Sequence, residues 1–120
     1  MDRQILAAVQ DIRSAIERIE IYTQGQTFTE FYNSPFHREA TERALSRIGE
    51  AATRLRNLGS TDIINDQKAI IAFRNYLMQG YDKVDYGDIW HIINADLPGL
   101  KEQTGFILSQ YPVHDNQLPD

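Results

Sequence analysis

A chain of 120 residues with 42% hydrophobic and 24% charged side chains has material for one domain built around one core. It contains no cysteine, which excludes a disulfide framework and a thiolate metal site. A formal charge of −5 excludes a general nucleic-acid coat, whose affinity comes mainly from neutralised phosphates, but it leaves a local basic site open.

In chain order, Ile5, Val9, Ile12, Ile16 and Ile19 follow steps of four, three, four and three. They draw one apolar stripe along a helix expected over residues 2–23, with Gly25 as its stop. Charges interrupt the apolar positions of this first segment, so no signal peptide is expected. No later apolar run is long enough for a bilayer span. The cytoplasm is the simplest location.

The stretch TFTEFYNSPF supplies aromatic residues and a break. Ser34 before Pro35 is a good cap and first-turn pair for a second long helix, expected to run to about Leu58 and stop at Gly59. Leu45, Ile48, Ala52 and Leu55 form its expected buried side. Arg43, Arg47 and Arg54 share another face, at steps of four and seven. A row of cations like this could steer an anionic partner. The plainer reading makes them solvated arginines balanced by Glu42 and Glu50.

DQKAIIAFRNYLM reads as a third long helix ending near Gly80. Asp85 caps a fourth, with Asp88 near its positive end and Ile89, Trp90, Ile92, Ile93 and Leu97 on its core side. Pro98 and Gly99 break or kink it before LKEQTGFILSQY. Residues 112–120 read as a loose tail, and residues 1–111 as one all-α domain, an up-and-down bundle of four to five helices. So short a bundle leaves apolar stripe uncovered, so a homodimer is expected.

The stretch FRNYLMQGYDKVD raises the question of function. At about 100° per residue, Arg74 and Tyr81 fall on one face, and Asn75 and Gln79 share a neighbouring face. Ile70, Ile71, Phe73 and Leu77 serve packing. Spacing alone fits the solvated side of an ordinary helix. Arg74 is a permanently charged fork suited to phosphate, but no strong general base stands beside it.

RNYLMQGYDKVDYGDIWHIINADLPGLK resembles the C-terminal signature of the HepT-like toxins, a branch of the HEPN superfamily, and ALSRIGEAATRL resembles that family's preceding helix. The similarity covers about residues 5–110. The family motif reads Arg, four residues, His, any residue, Tyr. Arg74, Asn75 and Tyr81 match it, and Gln79 stands at the histidine position.

The resemblance implies a homodimeric helical toxin of a toxin–antitoxin pair, a metal-independent endoribonuclease with no cofactor, in which two motif copies meet in a cleft. It implies attack of a ribose 2′-hydroxyl on the adjacent phosphorus, Arg74 holding the phosphate and the histidine moving protons. A glutamine amide has no useful proton affinity near neutrality, though it can orient a hydroxyl or a phosphate. Gln79 therefore predicts an impaired or inactive nuclease. It is either a natural mark of a subfamily or an introduced exchange, one base away from histidine.

The resemblance also implies a nucleotidyltransferase antitoxin of the MNT type that attaches AMP to Tyr81, a bulky anion beside Arg74. Arg43, Arg47, Arg54 and Asp82 are further candidate contacts of RNA or of the antitoxin, and Asp82 also of the motif. A non-catalytic HEPN module that partners a nucleotidyltransferase is the alternative. His91, His37 and His114 are scattered without carboxylates and suggest no metal site.

Overall fold

The computed structural model describes residues 1–60 and 85–111, which form five helices and no strand. The first, α1 (Arg3–Thr23), begins where the Asp2 carboxylate accepts a hydrogen bond from the Gln4 backbone N–H. Its stripe faces inward as the periodicity predicts, with Val9, Ile12, Ile16 and Ile19 almost wholly buried and Ile5 partly so. Each buried isoleucine contributes about 1.5–3 kcal/mol. The helix ends at Thr23, and Gly25 turns the chain with a φ of +76°. That region costs other residues about 1–2 kcal/mol.

The expected break after Gly25 contains a short helix, α2 (Phe28–Tyr32). Thr27 and Glu30 form a capping box: the Thr27 hydroxyl accepts from the Glu30 N–H, and the Glu30 carboxylate accepts from the Thr27 N–H. TFTE carries this signal in plain sight, because a hydroxyl followed three residues later by Glu satisfies two orphan donors at once. Phe31 on this turn is fully buried.

Ser34 and Pro35 start α3 (Pro35–Asn57) as expected, and Gly59, at φ +75°, follows its C-cap Leu58. Leu45, Ile48 and Leu55 are core residues. Ala52 is only half-buried, and Ala51 takes the core position instead. At about 100° per residue Ala51 and Ala52 flank Ile48 on either side, about 60° and 40° away, and Ala52 packs against the core from its partly covered edge.

Asp85 caps α4 (Tyr86–Ala95), its carboxylate accepting from the Gly87 and Asp88 N–H groups. The chain breaks at Asp96, and α5 (Leu97–Gln110) starts with Pro98 in its first turn. Ile89, Ile93 and Leu97 are buried, and Trp90 and Ile92 are half-buried against the core.

Helix α1 packs on both α3 and α5, α5 packs on α4, and α2 bridges α3 and α4. Polar ties lock α1 to α5: Arg13 donates to the Lys101 carbonyl at 2.7 Å, and the Lys101 ammonium meets Glu20 at 2.8 Å. The expected third helix, over residues 66–80, and the tail from Pro112 lie outside the described residues. Among the described residues no helix is long and apolar enough to cross a membrane.

Candidate functional site

Arg74, Asn75, Gln79, Tyr81 and Asp82 lie outside the described residues, as does His114. What the structure places is the frame at one end of their segment. Asp85, four residues after Tyr81, caps α4, and the next residue, Tyr86, anchors that start to the rest of the molecule.

The Arg38 guanidinium of α3 lies 4.9 Å from the Tyr86 ring centroid and 5.4 Å from that of Tyr32. Stacking of this kind contributes about 0.5–2 kcal/mol, according to how dry the contact is. Trp90 stacks on Phe31 at 5.1 Å and meets Phe28 edge-on at 6.1 Å. The aromatic residues of the expected break thus form the packing between α2, α3 and α4.

Glu42 belongs to this cluster and not to the solvent. Its residue is only 7% exposed, and one carboxylate oxygen is buried with no hydrogen-bond partner. This corrects the reading of Glu42 as a solvated counter-charge for the α3 arginines. At steps of three and four, Glu42 shares the side of Leu45, which faces the core, while Arg43 turns to solvent. Burial raises the Tyr86 phenol above its ordinary value. A hydrogen bond to Glu42 and the charge of that carboxylate add to the rise, because all three disfavour a phenolate there.

The arginine row divides. Arg43, Arg47 and Arg54 are all exposed, as their common face requires. Arg54 pairs with Asp11 of α1, a partner the sequence spacing did not indicate. Arg47 and Arg54 line a groove of about 430 Å³ between α1 and α3, together with Asp11, Ser14, Ala15, Arg18 and Glu50. Arg18 escaped the sequence reading because it lies on another helix. Its signal was present, since seven residues separate it from Asp11 just as seven separate Arg47 from Arg54.

His91 is exposed on α4. His37 sits in the first turn of α3, its backbone N–H donating to the Ser34 hydroxyl and its Nδ1 2.5 Å from that same oxygen. Ser34 is occupied as the helix cap, and among the described residues no carboxylate is bonded to the ring. Among the described residues no group of three or more His, Asp or Glu side chains could hold a metal ion.

Residues 12–107 match the family model described as Ribonuclease HepT-like. A Methanocaldococcus jannaschii protein named "Putative RNase MJ1380" is 29% identical over 106 residues, 88% of this chain and 97% of that one. A Thermococcus cleftensis protein named "Probable ribonuclease HepT" is 32% identical over 102 residues, 78% of this chain and 86% of the relative. A second M. jannaschii protein, "Gamma-glutamylcyclotransferase and putative RNase MJ0434", is 30% identical over 118 residues, and there this chain spans 53% of the relative's length. No solved structure gives a significant match.

Proposed function

The chain belongs to the HepT-like ribonuclease family, and from that premise we propose that it is the toxin subunit of a HEPN/MNT toxin–antitoxin pair. Its endoribonuclease machinery stands with the proton-transfer position exchanged for Gln79. The observation that carries this reading is the order of residues 74–81, Arg-Asn, three residues, Gln-Gly-Tyr, within the matched span.

In the reaction, the ribose 2′-oxygen bonds to phosphorus as the bond to the 5′-oxygen breaks. The 2′-hydroxyl proton leaves to a base, and the departing 5′-oxygen takes one up. Arg74 holds the phosphate and offsets the charge that builds on its oxygens. Two such forks from two chains clamp a phosphate better than one, which is why the active form is a homodimer. Gln79 orients a hydroxyl or a phosphate oxygen but cannot shuttle the proton, a loss of about 10²–10⁴ in rate. The antitoxin is a nucleotidyltransferase that transfers AMP from ATP to the Tyr81 oxygen and releases pyrophosphate. The new anion then occupies the phosphate position beside Arg74.

The test has two arms. Gln79→His should gain RNA cleavage by about 10²–10⁴-fold in a metal-free assay, and no gain would sink the nuclease assignment of this position. Incubation of the chain with its nucleotidyltransferase partner and ATP should add AMP mass that Tyr81→Phe does not acquire. Equal labelling of both forms removes Tyr81 from the scheme. Gln79 itself favours a second reading, a non-catalytic HEPN module that binds a nucleotidyltransferase. That reading expects partner binding with no toxicity on expression of Gln79→His.

A further inference from the structure

The groove between α1 and α3 is open, polar and arginine-rich. At one end Arg54 is neutralised by Asp11. Seven residues away on each helix, about 10 Å of helix rise, Arg18 and Arg47 line the same hollow. Neither makes a hydrogen bond or an ion pair among the described residues. Two guanidinium groups sharing one groove repel each other, and a bound anion removes that cost. The small side chains of Ser14 and Ala15 leave room between them, and Glu50 is the carboxylate left in the groove once Asp11 is engaged.

We propose that Arg18 and Arg47 form a cradle for an RNA phosphodiester, a binding site built from α1 and α3 that holds a flanking part of the same strand. Arg43, exposed one turn from Arg47 on the same face of α3, extends the row so that it tracks a strand. The ligand class follows from the chemistry of the lining. Guanidinium forks match phosphate oxygens in bidentate geometry. The anchors of a protein–protein site are aromatic or large apolar side chains, and among the described residues of this lining Ala15 is the one apolar side chain. On a chain of charge −5, affinity for RNA must come from such local clusters, because the remainder of the surface repels a polyanion. The proposal rests on the ribonuclease reading for the identity of its ligand.

The experiment is equilibrium binding of a fluorescein-labelled single-stranded RNA to the chain with Gln79 in place, read by polarisation across a salt series. Each phosphate contact on a single strand adds about 0.7 to the slope of log K against log salt, so Arg18→Gln with Arg47→Gln should lower the slope by about 1.4. Affinity should fall by about tenfold or more, as one lost charge-assisted contact already implies. A charge-matched control, Arg3→Gln with Arg56→Gln, lies outside the groove lining and should bind as wild type does. Arg18→Lys with Arg47→Lys, checked by circular dichroism, guards against a folding defect: it should keep the slope and lose part of the affinity.

If the glutamine pair binds like wild type while Arg74→Gln does not, the groove assignment is overturned and the ribonuclease reading stands. An arginine face that then proves to bind an acidic protein counts the same way. A wild-type chain with no salt-dependent RNA affinity overturns both.

Discussion

At the scale of single residues, the best-defined group is the pair Glu42 and Tyr86. A buried carboxylate with one unpartnered oxygen carries a desolvation cost, and its interaction with the Tyr86 hydroxyl offsets part of that cost. Tyr86→Phe keeps the ring over Arg38 and removes only that donor. We expect a loss of about 0.5–1.5 kcal/mol in denaturant unfolding, the net contribution of an ordinary hydrogen bond. The pH dependence follows from the direction of the shift. The folded pKa lies above the unfolded value near 10, so in the window above pH 10 the folded chain keeps a proton that the unfolded chain releases. The contribution of Tyr86 is therefore whole below pH 10 and declines as pH rises through the folded pKa. Tyr86→Phe should be less stable at neutral pH and should lack that alkaline decline, and an unchanged alkaline profile would remove Tyr86 as its source.

At the scale of elements, the caps were written in short codes. Ser34-Pro35 and Asp85 start helices where their chemistry says they must, and Gly25 and Gly59 stop them with positive φ. The T-x-x-E code of α2 is equally local, but a one-turn helix has no stripe, so periodicity alone passes over it. The contact of α1 with α5 has no such local code. Gly105 of α5 lies against the Arg13 guanidinium, and a β-carbon there would displace the group that donates to the Lys101 carbonyl. A mid-helix Gly→Ala change ordinarily stabilises by about 1 kcal/mol. Losing a partly buried charged hydrogen bond costs about 1.5–3 kcal/mol. Gly105→Ala should therefore destabilise by about 1 kcal/mol in wild type and stabilise by about the same amount in an Arg13→Met background. A double-mutant cycle reads the sign change, and additivity would show that Arg13 does not govern the site.

At the scale of the whole molecule, α1 is the common partner that α3 and α5 share, and one of its faces carries Arg18 to the groove. The proposed chemistry needs a second chain, because one Arg74 fork is a weak phosphate site. Sedimentation equilibrium at micromolar concentration should give twice the mass of the chain, and the mass of one chain would remove the paired clamp. The sequence by itself determined the helical class, the starts and stops of α1 and α3, their inward stripes and the kinship carried by residues 74–101. Each of these depends on residues close along the chain, through a cap, a period or a motif. Only the tertiary structure decided that Glu42 turns inward to Tyr86, that Arg54 is neutralised by Asp11, and that Arg18 joins Arg47 in one groove. Those outcomes depend on which faces of distant helices meet, and the energy of a charge is set by its neighbours across that contact, which no spacing within one helix encodes.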